Sequence, residues 1–381
     1  MKKITLITSE YSPMPAAAAA RILAWVSVMN ALGFSALVLT TRSAQAAEGL
    51  KRSFFPTPNN RASLPVRFLQ EVLLGLDLGW RLYRIRKETD ICMLTSPPFF
   101  MAFLCSCFAR LAKVKYLFDV RDRYPTVLVD LGVISAGGFL ERWLKKMEKM
   151  IYENAEYTIT VTTGLLRNLQ RDYPKVDFHL VRNGFDENAF CQTLLGKPKR
   201  NHFTVVYHGR LGRFYNSMAL LRIIELVEKI DNEVRFLLIG DLPEEVSAQK
   251  LSNLEIMPAL RVDDLAKQLV SCHLGICLLL DLPAMTSAFP AKAYDFIGAG
   301  LPMFAGPDGE LGEFVRQTGC GMIFDEVCPE KIASEIVALK NDRKSIESMK
   351  SKVLEIRESY GRQACVREHL TTVIKSELYA S

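Results

Sequence analysis

The chain has 381 residues, of which 49% are hydrophobic and 24% are charged, and this size and balance predict a globular protein of two domains. The formal net charge of +6 suits phosphate-bearing ligands or an anionic membrane surface, but it is too small to indicate nucleic-acid binding. The nine scattered cysteines form no C-x-x-C pair, so we expect reduced thiols in the cytosol and no zinc site.

The N-terminus has two lysines and a short apolar run, which charged and proline residues soon interrupt. We therefore expect a first strand rather than a signal peptide. Two uncharged stretches, residues 22–41 and 91–109, approach the length of a membrane-spanning helix. Gly33 breaks the first and a Pro-Pro pair breaks the second, so the sequence predicts a cytoplasmic protein with no transmembrane helix.

In the first half of the chain, short apolar strands alternate with helices. Runs rich in Ile, Val and Thr favour strands, and a glycine after an apolar run indicates the end of a helix. Strands separated by helical segments predict right-handed βαβ units and a parallel sheet. The predicted strands are residues 4–8, 35–40, 91–95, 116–119 and 157–161, and the predicted helices are residues 15–32 and 139–153.

The same alternation begins again near residue 203. Two such series predict an α/β protein of two Rossmann-like, doubly wound parallel-sheet domains that face a cleft. We expect a first domain at residues 1–184, a second domain at 185–360, and a C-terminal helix at 361–381 that packs back on the first domain. The predicted strands are 203–207, 234–239, 274–280 and 302–305, and the predicted helices are 217–229, 262–271, 291–299 and 310–318, followed by a helical tail at 329–378.

The most informative motif is FPAKAYDFIGAGLP at residues 289–302. It is typical of a helix that opens after proline and ends at glycine before a buried strand. Asp295 follows Lys292 by three residues, so both lie on one helix face. Asp295 is suited to hold a ribose diol and Lys292 to meet a phosphate. The alternative is an ordinary Lys–Asp surface pair, which contributes little stability.

A second motif, VYHGRLGR at residues 206–213, runs from a strand into a glycine turn with Arg210 and Arg213. Glycines let backbone N–H groups approach a phosphate, and arginine offers a charge-assisted pair of hydrogen bonds. The alternative is a plain turn with exposed arginines. A third motif, DGELGEFV at residues 308–315, places glycine before a helix.

Because the first N–H groups of a helix lack partners, Gly309, Glu310 and Leu311 are predicted to bind an anion. The alternative is that the acidic residues of this first turn only stabilise the helix. In the first half, Tyr11 and Arg21 flank five alanines, and FDVRDRYP at residues 118–125 places Arg121 and Asp122 after a strand. Asp122 is suited to orient an acceptor hydroxyl or accept its proton, or else it belongs to an internal Asp–Arg network.

Together, these motifs resemble family-4 retaining glycosyltransferases of the GT-B fold. The resemblance implies that the first domain, residues 1–184, binds the acceptor and that the second, residues 185–360, binds the nucleotide sugar. Residues 289–302 resemble that family's P-S-K-x-x-E-Y-x-A-x-G-x-P block, and residues 209–215 resemble its G-R-x-x-x-x-K clamp. Residues 308–315 resemble its G-G-x-x-E-x-V turn, and the R-D-x-x-P segment at 121–125 resembles bacterial transferases that add amino or deoxy sugars to O-antigen and capsule units. Residues 183–186 resemble the family's N-G-V-D crossing between domains.

The resemblance implies that Asp295 binds the ribose, and that Arg210, Arg213, Lys292 and the turn at Gly309, Glu310 and Leu311 bind the diphosphate. Two positions depart from the family pattern. Ser287 stands where the family often has a second Glu for the donor sugar, and Tyr215 stands where it has the clamp lysine. The second positive charge of the clamp must then come from Arg213 or Lys292.

The implied activity is retaining transfer of a hexose-type sugar from a nucleoside-diphosphate sugar, most simply a UDP-sugar. The acceptor is a glycan or an undecaprenyl-linked lipid of bacterial surface polysaccharide synthesis. Asp122 and Arg210 are the expected catalytic residues, and the expected acceptor-binding residues are Tyr11, Arg21, Arg121 and Asp122. Since no D-x-D triplet occurs, no metal and no cofactor beyond the donor are expected.

A helix at residues 139–147 mixes Trp, Leu and cations, which indicates either peripheral contact with the inner membrane or a core-facing helix with a basic outer face. Two other functions fit the same fold. One is a nucleotide-sugar epimerase, which would need no acceptor. The other is a degenerate transferase that acts as an assembly partner at the membrane.

Overall fold

The computed structural model describes residues 2–12, 17–59, 62–130, 132–191, 196, 199–212 and 214–374. The chain divides into two compact units. The first contains the described residues up to Asn183 together with those from Val366 onward, and the second runs from Gly184 to Cys365.

The first unit is built on a seven-stranded sheet in which every strand pair is parallel. The strand order is β3-β2-β1-β4-β5-β6-β7, so the direction of winding reverses between β1 and β4. The strands are β1 (Lys3–Ile7), β2 (Ser35–Thr40), β3 (Leu50–Arg52), β4 (Ile91–Ser96), β5 (Lys115–Val120), β6 (Tyr157–Thr160) and β7 (Phe178–Leu180).

In the described part of this unit, six α-helices accompany the sheet before the chain passes to the second unit, and two of them pack closely. A Cβ atom at Gly79 would lie 2.3 Å from the ring of Phe108, and one at Gly75 would lie 2.9 Å from the Cα of Met101. These two glycines therefore let α2 approach α3 nearly backbone to backbone. The helices are α1 (Ala17–Ala31), α2 (Leu64–Arg84), α3 (Phe99–Leu111), α4 (Thr126–Asp130), α5 (Phe139–Glu153) and α6 (Thr163–Asp172).

The second unit is built on a six-stranded parallel sheet with the order β10-β9-β8-β11-β12-β13. Its winding reverses between β8 and β11 in the same way as in the first unit. The prediction of two doubly wound parallel α/β sheets is confirmed. The strands are β8 (Thr204–His208), β9 (Arg235–Ile239), β10 (Leu254–Met257), β11 (Leu274–Leu278), β12 (Met303–Gly306) and β13 (Gly321–Ile323).

The sheet of the second unit is covered on both faces. Val205 belongs to one core and Val206 to the other, and Ile276 and Cys277 divide in the same way. This alternation follows from the two-residue period of a strand, and it explains why these strands are apolar throughout. The helices are α7 (Ser217–Ile230), α8 (Glu244–Ser247), α9 (Val262–Ser271), α10 (Ala291–Gly298), α11 (Glu310–Thr318), α12 (Pro329–Asn341) and α13 (Arg343–Arg357).

The last described helix, α14 (Arg362–His369), leads the chain back into the first unit. The side chain of His369 is buried, and its Nε2 atom lies 3.2 Å from the hydroxyl of Tyr157. The His369 ring also packs edge-on against Trp25, with 5.9 Å between the ring centroids. Among the described helices, none combines the length and the apolar character needed to cross a bilayer.

Candidate functional site

The candidate site of the second unit lies where its winding reverses. Strands β8 and β11 are neighbours there, and the loops that leave their carboxyl ends run to α7 and α10. In doubly wound sheets this reversal opens a crevice between the two loops, and ligands bind in it. Helix α11 begins at the same edge because it follows the carboxyl end of β12. The motifs at residues 206–213, 289–302 and 308–315 therefore lie at the same edge of this sheet.

Two titratable side chains approach each other at this edge. His208 is the last residue of β8, and its Nε2 atom lies 3.6 Å from Oδ2 of Asp295 on α10. His208 is buried, and burial together with the nearby charge of Lys292 lowers its pKa to about 3. The imidazole is thus neutral at physiological pH, and the contact is not an ion pair.

Asp295 remains partly exposed, with 19% of its side chain accessible. Burial raises its pKa to about 7, while Arg362 lowers the pKa and Asp186 raises it. Such a carboxyl group at a ligand crevice is a functional candidate, because structural surface carboxyls are rarely held near neutrality. Sequence analysis predicted Asp295 but not His208, whose only signal is its position at the end of a strand beside the reversal.

Lys292 differs from its predicted role. The sequence places its charge on an open helix face, but in the structure the residue is only 4% exposed. Its Nζ atom lies 3.6 Å from the ring centroid of Tyr207 and 3.5 Å from that of Tyr215, and among the described residues Nζ has no hydrogen-bond partner. Burial lowers its pKa to about 7. Lys292 neither pairs with Asp295 at the surface nor presents its ammonium group to a ligand in this conformation.

Arg210, in contrast, points its charge outward. Gly209 before it has a φ of +89°, which favours glycine, and the Gly209 N–H donates to the carbonyl of Ile239. The guanidinium Nε lies 3.4 Å from Oδ2 of Asp241, and both side chains are about two-thirds exposed. An exposed pair of this kind is weak, so Arg210 is available to an anionic ligand. Arg213, predicted beside it, lies outside the described residues.

At the start of α11, some backbone N–H groups already have hydrogen-bond acceptors within the protein. The N–H of Glu310 donates to the carbonyl of Thr286 at 2.7 Å, and the N–H of Gly309 donates to Oδ1 of Asp308 at 2.9 Å. The sequence predicts these two N–H groups as anion donors, and that prediction is wrong for this conformation because both have protein acceptors. Among the described residues, none accepts a hydrogen bond from the N–H of Leu311, which stays available.

In the first unit, Arg21 is not an acceptor-binding residue as predicted. Its Nη2 and Nε atoms donate to the two carboxylate oxygens of Asp119 at 2.8 and 2.9 Å, and its Nη1 donates to the carbonyl of Val181 at 2.9 Å. Both charged side chains are almost completely buried. The guanidinium therefore links α1, β5 and the chain after β7, and no surface of it remains for a ligand.

The segment after β5 contributes Arg123 to an internal charge network and leaves Asp122 outside it. Arg123 lies 2.5 Å from Asp172 and 3.5 Å from the buried Glu148, so it belongs to an internal network. Arg121 donates to the carbonyl of Pro97 at 3.1 Å. Asp122 is exposed and makes no hydrogen bond or ion pair with any described residue.

Tyr11 lies in the loop after β1, at the same carboxyl edge of the sheet as Asp122. It is half-buried, and burial raises the pKa of its hydroxyl. Neither unit offers an evident metal site in the part of the chain that the structure describes, since no three His, Cys, Asp or Glu side chains cluster there.

Residues 202–342 match the family model described as glycosyl transferases group 1. The matched segment begins just before β8 and ends just after α12, so it contains the side chains of His208, Arg210, Lys292 and Asp295. This segment is therefore similar to the group 1 glycosyltransferases. No curated protein matches the chain in sequence.

Solved structures share the fold of the whole chain at low sequence identity. Sucrose-phosphate synthase from Thermosynechococcus elongatus has a TM-score of 0.73 and 14% identity, with 100% of both chains covered. Anabaena HepE in complex with UDP and glucose has a TM-score of 0.70 and 14% identity, covering 99% of this chain and 100% of its own. WaaG, a glycosyltransferase involved in lipopolysaccharide biosynthesis, has a TM-score of 0.63 and 12% identity, covering 97% and 100%. The fold is thus GT-B-like.

Proposed function

We propose that the chain transfers a sugar from a nucleoside-diphosphate donor, most simply a UDP-sugar, to a glycan or lipid-linked acceptor. The observation that carries this proposal is the group 1 glycosyltransferase match over residues 202–342, because the matched segment contains the crevice edge with Asp295 and Arg210. HepE, which shares the fold, was solved with UDP and glucose, and this supports the choice of a UDP-linked donor.

In the proposed donor complex, the Asp295 carboxylate accepts hydrogen bonds from the two ribose hydroxyls. Arg210 pairs with the diphosphate, and the N–H of Leu311 at the start of α11 donates to it. These groups stabilise the negative charge that develops on the leaving diphosphate, which is where preorganised donors accelerate transfer most. Positive side chains and a helix start suffice for this role, so the proposed transfer is metal-independent.

The proposed acceptor site is on the first unit. Asp122 follows β5, is exposed and has no partner among the described residues, so it can orient an acceptor hydroxyl or take its proton. Arg121 and Tyr11 are the proposed neighbours of the acceptor. Retention of the anomeric configuration is part of the proposal, and it rests on the resemblance to family-4 enzymes.

The acceptor is proposed to be lipid-linked and to be reached at the cytoplasmic face of the inner membrane, as part of surface polysaccharide synthesis. Large apolar side chains are exposed on α2 and on α5, and exposed lysines accompany those of α5. This combination suits the surface of an anionic bilayer. The side chains concerned are Leu69, Leu76 and Trp80 on α2, and Phe139, Trp143, Lys145 and Lys149 on α5.

The test is transfer from UDP-sugars to glycan and lipid-linked acceptors by the wild-type protein and by Arg210→Ala and Asp295→Ala. We expect each variant to lose at least about tenfold in kcat/KM, which corresponds to 1.4 kcal/mol of transition-state binding. Arg222→Ala and Asp264→Ala remove exposed, weakly paired charges of the same unit and should leave transfer unchanged. Wild-type rates in both site variants would refute the assignment.

The same assay separates the other two functions. An epimerase would convert the UDP-sugar in the absence of any acceptor, which NMR of the donor detects directly. An assembly partner without catalytic activity would show neither conversion nor UDP-sugar binding by calorimetry.

A further inference from the structure

The ammonium group of Lys292 is enclosed by two aromatic rings, and we call Lys292, Tyr207 and Tyr215 the lysine cage. The distances of 3.6 and 3.5 Å from Nζ to the two ring centroids are short even for cation–π contacts. In the described part of the chain no oxygen or nitrogen accepts a hydrogen bond from Nζ. A charged amine is thus held by ring faces alone.

Such a site is unfavourable for a full positive charge. An ammonium group normally donates three hydrogen bonds, and removing it from water without replacing them is costly, even though ring faces return part of the lost stabilisation. The pKa of Lys292 is accordingly lowered to about 7 by burial. In the empty site near neutral pH, a large fraction of the molecules therefore carries a neutral amine.

The titratable groups around Nζ come from three segments. Tyr207 and the neutral His208 are on β8, Tyr215 is on the loop that follows, and Cys277 is on β11. The thiol of Cys277 has a pKa raised to about 11 by burial, so it is uncharged near neutrality. None of these neighbours makes an ion pair with Lys292.

The cage is joined to the loop that presents Arg210. The hydroxyl of Tyr207 donates to the carbonyl of Arg210 at 3.0 Å, and the N–H of Tyr215 donates to the carbonyl of Gly212 at 3.0 Å. The hydroxyl of Tyr207 therefore ties its ring to the turn between β8 and α7, and the backbone of Tyr215 belongs to the same turn. An anion bound by that turn would lie against the cage and favour the charged form of its amine.

We propose that Lys292 is a positioning residue that adapts its charge to donor occupancy, carrying its full positive charge only when an anionic diphosphate occupies the crevice. This inference rests on the proposed donor site. The chain has Tyr215 at the position where the resembling family has a lysine. In this proposal, Lys292 on α10 supplies the positive charge beside Tyr215, and its amine is enclosed while the site is empty.

Donor binding must then take up a proton. A bound diphosphate raises the pKa of the Lys292 amine, so uptake occurs at any pH between the free and the bound value, and affinity falls as pH rises through this interval. At pH 8 uptake should approach about one proton per donor, and affinity should fall roughly tenfold between pH 7.5 and 8.5. UDP-glucose is the suitable probe because its diphosphate diester does not titrate in this range.

The experiment is calorimetric titration with UDP-glucose at pH 8 in HEPES and in Tris, whose different ionisation enthalpies report the number of protons bound. The wild-type protein should take up close to one proton, while Lys292→Met should bind more weakly and take up none. Lys292→Arg keeps a permanent charge and should also take up none, which covers the case in which the methionine variant does not fold.

Lys267→Met is the matched control, because Lys267 is an exposed lysine of the same unit that pairs with Asp264. It should keep the wild-type proton uptake. Wild-type binding without proton uptake would overturn the inference, and so would uptake that persists in both Lys292 variants. If UDP-glucose binds the wild-type protein at no pH, the donor site itself is wrong and the inference fails with it.

Discussion

The guanidinium of Arg21 and the carboxylate of Asp119 form a two-point salt bridge of 2.8 and 2.9 Å between residues that are 98 positions apart. Both side chains are buried almost completely, so the pair pins α1 to the central strands of the first unit. The carbonyl of Val181 accepts a further hydrogen bond from the same guanidinium, so the guanidinium also holds the chain segment that follows β7.

Removing one partner of this pair should destabilise the first unit strongly. Arg21→Ala leaves Asp119 charged and buried, and breaking a buried pair in this way costs about 3–5 kcal/mol. Differential scanning calorimetry should show a lower melting temperature for the transition of the first unit. Lys115→Ala breaks a pair with Glu156 that is exposed on both sides in the same unit and should have a much smaller effect, and equal shifts for the two variants would contradict the structural role of Arg21.

Donor affinity should also fall on the acid side. Asp295 accepts the ribose hydroxyls only as a carboxylate, and because burial raises its pKa to about 7, acidification neutralises it from about pH 7 downward. His208 does not titrate in this range, since its pKa is about 3. Between pH 6.5 and 5.5, where Lys292 is already largely protonated, UDP-glucose binding should weaken by up to about tenfold.

Asp295→Asn tests whether protonation of Asp295 causes the loss of affinity at acid pH. The amide keeps the size of the side chain and does not titrate, so affinity should be lower at pH 7.5 but nearly constant from pH 7 to 5.5. Isothermal titration across this range measures both effects. If the affinity of the asparagine variant still falls at acid pH as it does in the wild-type protein, another group is responsible.

Asp122 should matter for transfer and not for donor binding, because it belongs to the other unit. Asp122→Asn should lower kcat by about 10²–10⁴-fold, the usual range for a positioned acid or base, with UDP-glucose affinity unchanged. Glu153→Gln, an exposed acid on α5 that makes a long pair with Lys149, is the control. Near-normal transfer by Asp122→Asn would remove this residue from the catalytic proposal.

The backbone at Gly309 should tolerate no side chain. Its φ is +149°, and a Cβ atom there would lie 2.8 Å from the carbonyl oxygen of Thr286, so Gly309→Ala must displace the loop that covers the start of α11. Strained backbone positions of this kind cost about 1–3 kcal/mol. We expect weaker UDP-glucose binding and a lower melting temperature of the second unit.

Gly319 provides the comparison for this variant. It also has a positive φ, +67°, but a Cβ atom there would meet only the Lys352 side chain at 3.8 Å. Gly319→Ala should therefore lower stability slightly and leave donor binding intact. If both alanine variants bind UDP-glucose normally, the loop at Thr286 has no part in the donor site.

The regular part of the fold could be predicted because hydrophobic periodicity marks it. Helices α5, α9 and α11 have the bounds that the sequence predicts, and the central strands agree within one or two residues. The strands β3, β7, β10 and β13 were not predicted. Each has only three or four residues, which is too few to show a two-residue hydrophobic alternation. Each is a strand because its backbone pairs with a neighbouring strand.

The site could be predicted in part for a related reason. Strand ends and helix starts that carry Asp295, Arg210 and Leu311 are local features, and the sequence reveals them. The environment of Arg21 and Lys292 depends on residues far along the chain, Asp119 in one case and the tyrosines of the cage in the other. No local pattern indicates whether such a cation points to solvent or into the protein.

The first unit is discontinuous in sequence, since the described residues from Val366 onward return to it after the second unit. Its buried cluster of Trp25, Tyr157 and His369 cannot assemble until the chain has been synthesised as far as His369. The second unit uses one continuous stretch that ends before His369. During synthesis, the unit that begins first is therefore the last to have all the residues of its core.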